Sequence, residues 1–115
     1  FDERDMRELR GPLGIGHVRY PTVGANRAED AQPFHVNFPV GVAMAHNGNV
    51  TNFMQLKREH FHSSGTRLNS SCDLEIILFV FVRALQERIR PGVKVGADDI
   101  FHAVAAVYRE VRGAY

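Results

Sequence analysis

A single cysteine, Cys72, and no tryptophan in 115 residues are the scarcest features of this chain. One thiol excludes an internal disulfide and a multi-cysteine zinc site, and a domain of this size without bridges suits a reducing cytosol. Neither sign of charge prevails. Fourteen basic residues against 13 acidic give a formal net charge of +1, too weak a field to draw nucleic acid or an anionic membrane as the main partner. No apolar run is long enough to span a bilayer, the first residues are charged rather than a signal peptide, and there is no internal repeat or low-complexity tract. These absences leave a soluble, cytoplasmic protein acting on a small polar substrate. What is present is a 44% hydrophobic, 23% charged chain, enough to bury a core as one globular domain or part of one. Six histidines invite a metal reading, but no pair has helical ligand spacing, and His60 and His62 point to different sides. No metal site is expected.

The chain is organised around residues 41–52, Gly-Val-Ala-Met-Ala-His-Asn-Gly-Asn-Val-Thr-Asn, where an apolar run stops at Asn47-Gly48 and resumes as a helix. Asn-Gly readily takes positive φ, so a strand ending in a tight turn is expected, with backbone N–H groups and an amide pointing off the sheet edge. Such groups are oxyanion donors if a carbonyl is attacked nearby, and a plain connection if it is not.

Residues 1–10 alternate acid and base and suit a short solvated helix ending at Gly11-Pro12. Residues 14–20 read as a strand with Arg19 at its end, its glycines allowing a neighbour's backbone close. Residues 21–33 are a functional loop by their length and composition. The segments 34–38 and 40–45 form an antiparallel hairpin, and Thr51 or Asn52 caps a helix running to His62. Ser70 and Asp73 have capping-box spacing before a long helix over 73–89, whose seven apolar residues at 76–82 make it apolar nearly all round and demand cover from more than one sheet. Asp98 or Asp99 caps a last helix over 100–112 with Ile100, Val104, Val107, Tyr108 and Val111 as its stripe, and Gly113 reads as a cap leading into a strand expected to be missing. The chain starts at Phe1 and stops just after that helix, so a fragment is expected.

Three polar positions stand at element ends: Arg19, Asn47-Gly48 and Asp73. Together they complement an amino acid, with a guanidinium for the α-carboxylate, a carboxylate for the α-ammonium and turn donors for a side-chain carbonyl. Taken singly, Arg19 reads as a surface residue and Asp73 as a helix-dipole cap, and only their combination favours a ligand. Cys72 is rejected as a nucleophile, because a neighbouring carboxylate disfavours its thiolate.

Gly-Ile-Gly-His-Val-Arg-Tyr-Pro-Thr at 14–22, Ala-Gln-Pro-Phe at 31–34, Ala-His-Asn-Gly-Asn at 45–49, Asp73-Leu74-Glu75 and the closing Arg-Gly-Ala-Tyr resemble the class II glutaminase domain of the amidophosphoribosyltransferases. Sibling domains, as in glucosamine-phosphate synthase, are less similar: they favour Arg-Trp-Ala-Thr and Asn-Gly-Ile-Ile at the corresponding places. A non-enzymatic amino-acid-binding module is the other alternative. The resemblance implies an α+β fold, a four-layer αββα sandwich of the N-terminal nucleophile hydrolase type, here in part. It implies that Arg19 with Thr22 holds the carboxylate of glutamine, Asp73 holds its ammonium, Asn47 and Gly48 form the oxyanion hole, and residues 20–33, led by Tyr20, close over the substrate. The nucleophilic N-terminal cysteine is outside residues 1–115, as is the phosphoribosyltransferase domain with its phosphoribosyl pyrophosphate and magnesium, so the chain alone is expected to be inactive. No cofactor is implied within these residues, an iron–sulfur cluster in the parent is left open, and a homo-oligomeric parent is expected.

Overall fold

A computed structural model of the chain describes residues 2–18, 27–62 and 67–115. The apolar run at 76–82 lies in the helix against which two other helices and a hairpin pack. In chain order the elements are α1 (Glu3–Glu8), a 3₁₀ turn (Ala28–Asp30), β1 (Phe34–Val36), β2 (Val42–Met44), β3 (Asn49–Val50), α2 (Phe53–Phe61), α3 (Leu74–Gln86), α4 (Ala97–Glu110) and β4 (Gly113–Ala114). The class is α+β, with helices and short antiparallel strands mixed along the chain.

Helix α3 buries Leu74, Ile76, Ile77, Leu78, Val80, Ala84 and Leu85, which lie around more than half of its circumference. It packs chiefly on α4 and also touches α2 and the β1–β2 hairpin, so the expectation of cover from several sides holds. Leu56 and Phe61 of α2 join the same core, and each large side chain so buried contributes about 1.5–3 kcal/mol. Arg83 ties three helices at one end of this contact. Its guanidinium lies 3.0 Å from His60 Nδ1 and bonds Glu110, whose Oε2 is 3.0 Å from His60 Nε2.

The hairpin forms as expected, pairing Phe34 with Met44 and Val36 with Val42. The final Gly113-Ala114 also takes up a strand, antiparallel to β3, with Asn49 opposite Ala114 and Val50 opposite Gly113. Helix α1 is exposed throughout and is closed by a capping box between Asp2 and Asp5. No helix among the described residues is long and apolar enough to cross a membrane.

Five expectations are corrected. Residues 14–18 form no strand: they are largely exposed, and a Cβ at Gly14 or Gly16 would meet nothing within 4 Å. A strand exists through a partner's ladder of hydrogen bonds, and no partner lies beside this segment among the described residues. Helix α4 begins at Ala97, three residues early, because the Asp99 carboxylate reaches back to the Gly96 N–H at 3.0 Å. Of the expected stripe, Val107 and Val111 do face inward, but Ala103 and Ala106 join them while Ile100 is 44% and Tyr108 72% exposed, since close approach to α3 favours small side chains at the contact. The Ser70–Asp73 capping box does not form. Asp73 makes no side-chain cap, and the Glu75 carboxylate instead accepts the N–H groups of Asn69 and Ser70 and the Ser70 hydroxyl. Asn52 does stand at the N-cap of α2 but makes no side-chain cap there: its amide donates to the Glu110 carbonyl and accepts the Arg112 N–H.

Candidate functional site

The end of β2 and the start of α3 meet at Asp73. Its Oδ2 accepts the Val50 N–H at 2.8 Å, and its Oδ1 lies 2.9 Å from His46 Nε2. Asp73 is therefore a bridge to the strand end rather than a helix cap, with backbone angles (φ −67°, ψ −20°) already helical. Between its two anchors, His46 and Val50, lie Asn47 and Gly48. The sequence-predicted turn and carboxylate are thus brought together, and a carboxylate that holds these two donors and a distant Cys72 thiol retains a lone pair for a ligand.

The turn itself differs from expectation. No described non-glycine residue has positive φ, and Gly48 does not either. Glycine is required at 48 by proximity: a Cβ there would stand 1.9 Å from the Ala114 carbonyl oxygen and 2.7 Å from its carbon. The backbone of β4 runs against this residue, which leaves Asn47 and Gly48 exposed on the outer side. The Asn47 amide makes no hydrogen bond to a described residue, so it is available to a ligand.

Arg19, Tyr20 and Thr22 lie outside the described residues, as does the first part of the expected closing loop over 20–33. From residue 27 that loop is fastened down. Asp30, 1% exposed, accepts the Ser71 N–H at 2.9 Å and the Ser71 hydroxyl at 2.9 and 3.1 Å. Two residues on, Gln32 Oε1 accepts the His46 N–H at 2.8 Å.

His46 and Gln32 were not singled out from sequence, although both stand inside the motifs quoted above. Their signal was position: His46 precedes Asn47, and Gln32 lies in Ala-Gln-Pro-Phe. The His46 side chain is 7% exposed, against 21% for Asp73, so their contact is screened little by water. Cys72 is buried, with its Sγ within 3.6 Å of Gln32 Nε2 and 3.9 Å of Asp73 Oδ1, which is the environment of a structural thiol. Among the described residues no three His, Cys, Asp or Glu stand together as a metal site. Clefts of about 320 and 650 Å³ near Ser70 are lined by neither Asn47, Gly48 nor Asp73, so the site is defined by its convergent polar groups.

Residues 2–90 match the glutamine amidotransferase domain. The chain is 47% identical over 116 residues to an amidophosphoribosyltransferase of Escherichia coli (strain K12), and 44% identical over 115 residues to one of Pseudomonas aeruginosa. It is 39% identical to the amidophosphoribosyltransferase of Saccharomyces cerevisiae. All of the chain is covered in each case, but only 22%, 23% and 22% of these relatives, so it spans under a quarter of their length. With its Asn47-Gly48 turn and Asp73 joined at one place, and with a domain match over most of its length, the chain belongs to the glutamine amidotransferase family.

Proposed function

We propose that these residues form part of the glutamine-hydrolysing domain of an amidophosphoribosyltransferase, which makes 5-phosphoribosylamine from phosphoribosyl pyrophosphate and glutamine in the first step of de novo purine synthesis. The observation that carries the reading is the hydrogen bonding of Asp73 to both His46 and Val50, which sets an anionic group beside the exposed Asn47-Gly48 turn. The amidophosphoribosyltransferase names of the three relatives favour this over a glucosamine-phosphate synthase.

In the reaction, the thiolate of an N-terminal cysteine from outside these residues attacks the side-chain amide carbon of glutamine, its α-amino group taking the proton. The carbonyl oxygen becomes an oxyanion that accepts hydrogen bonds from the Asn47 amide and the Gly48 N–H. Asp73 holds the substrate ammonium, while Arg19 and Thr22 hold its carboxylate and Tyr20 belongs to the covering loop. Collapse of the adduct expels ammonia, and water then cleaves the thioester to release glutamate. Ammonia passes to a phosphoribosyltransferase domain, where magnesium belongs with the pyrophosphate. The setting is the four-layer αββα sandwich, of which α3, α4 and the strands here are a part, in a cytoplasmic homo-oligomer. Residues 1–115 alone carry no such nucleophile and do not turn over glutamine.

The test is Asn47→Ala in the full-length protein. Glutamine-dependent kcat falls roughly a hundredfold or more, as when one oxyanion donor is removed elsewhere, while activity with free ammonia persists. Equal loss of both activities would show Asn47 to be a fold element, and would falsify the reading.

A further inference from the structure

Three residues, Gln32, Cys72 and His46, close into a ring with Asp73. The His46 backbone N–H donates to Gln32 Oε1 at 2.8 Å; Gln32 Nε2 donates to Cys72 Sγ at 3.6 Å. Cys72 Sγ lies 3.9 Å from Asp73 Oδ1, to which His46 Nε2 returns at 2.9 Å. One amide side chain therefore joins the residue before Asn47 to the residue before Asp73. These residues come from three separate segments, since Gln32 lies 14 positions from His46 and 40 from Cys72. Remove Gln32, and the contact between strand end and helix start rests on Asp73 itself, the group a ligand's ammonium would pull upon.

Resting on the glutamine site above, we infer that Gln32 is a positioning residue for it, setting the distance between the ammonium-binding carboxylate and the oxyanion donors through His46 and Cys72. Two features separate this from ordinary packing. Gln32 has both halves of its amide engaged, one on each arm of the site, so its orientation is determined. The neighbouring Asp30 fastens its loop to Ser71, so the strut stands on a fixed base. A substrate gripped at both ends is sensitive to that spacing, because a misplacement of about 1 Å can cost about a hundredfold in rate.

The experiment is done on the full-length protein. Gln32→Met keeps the length of the side chain and removes both hydrogen bonds. Expected is a roughly 10- to 100-fold fall in glutamine-dependent kcat/KM, mostly as a raised glutamine KM, with the rate on free ammonia and the thermal midpoint held near wild type. Cys72→Ala shifts glutamine KM in the same direction by less, and Cys72→Ser, which restores an acceptor for the amide, recovers part of it. This second pair gives the answer even if Gln32→Met does not fold. Wild-type glutamine kinetics in Gln32→Met and Cys72→Ala, with Asn47→Ala still impaired, overturns the strut alone. So does a parallel fall in glutamine and ammonia rates with a lowered midpoint, which marks Gln32 as a packing residue. An Asn47→Ala protein with unimpaired glutamine use overturns the site and the strut together.

Discussion

Gly48→Ala isolates why the turn beside Asp73 is built from glycine. Because φ at Gly48 is not positive, alanine carries no conformational penalty of its own there; the cost is contact. The added carbon would fall 1.9 Å from the Ala114 oxygen, short of ordinary contact by about 1.5 Å, and its other near neighbours are also backbone atoms of Ala114 and Tyr115. No side chain can rotate away, so β4 must retreat. That retreat loosens the pairing of Asn49 with Ala114, the Thr51 N–H to Arg112 carbonyl bond at 2.8 Å and the Arg112 N–H to Asn52 bond at 2.9 Å. At about 1 kcal/mol for each hydrogen bond, losing two to four of them costs about 2–4 kcal/mol. Gly16→Ala is the control, because nothing lies within 4 Å of its Cβ position. It should change stability by less than about 1 kcal/mol, in the stabilising direction. Denaturant unfolding gives the difference, and amide exchange at Thr51 and Arg112 shows where it arises. If Gly48→Ala matches Gly16→Ala within about 0.5 kcal/mol and both amides stay protected, the proximity argument is wrong.

Ser71→Ala should destabilise by about 1–3 kcal/mol, because the carboxylate of Asp30, 1% exposed, loses a hydroxyl donor while the Ser71 N–H stays bonded to it. An unchanged thermal midpoint would show that the loop is held by other contacts. At α4, the Gly96 N–H, and behind it Arg88, holds the Asp99 carboxyl below its usual value of 3.8. A depressed folded value makes this contribution complete above about pH 3.8 and removes it as pH falls through the lowered folded pKa. Acid titration of the first turn of α4, followed by amide exchange at Ile100, should therefore show a loss of protection that is absent in Asp99→Asn; identical acid limbs in the two proteins would refute it.

The elements that local pattern determines were readable in the sequence. The apolar points of residues 34–45 specify a hairpin, and the run at 76–82 becomes a helix because its length and its Leu74, Ile77, Leu78, Leu85 spacing outweigh the β-branched residues within it. What depends on distant partners was not readable. Residues 14–18 look like a strand but have no ladder, and the inward face of α4 is set by how near α3 comes, which favours alanine over the larger Ile100 and Tyr108. The site divides in the same way. Asn47-Gly48 and Asp73 could be chosen as candidates from residue type and position, yet the glycine at 48 was expected for positive φ, whereas its structural reason is a strand 66 residues further on. Gln32 and His46 carried no chemical signature of their own; only the folded chain puts one side chain across two motifs.

The clasp at Asn52 bears on the order in which the chain assembles. Its bonds to Glu110 and Arg112 span 58 and 60 residues, and the neighbouring Thr51 hydroxyl reaches the Arg112 carbonyl across 61. Contacts this remote in sequence bear the entropy of closing a long loop before any energy is returned, so they form late in folding. The end of β3, and with it the Asn47-Gly48 turn, cannot be held against β4 until α4 and β4 have been made. At about 5–20 residues per second, synthesis of the intervening 60 residues takes roughly 3–12 seconds, during which the hairpin and α2 wait beside an open edge. The part of the molecule nearest the expected chemistry thus acquires its shape only once residues 110–114 have left the ribosome.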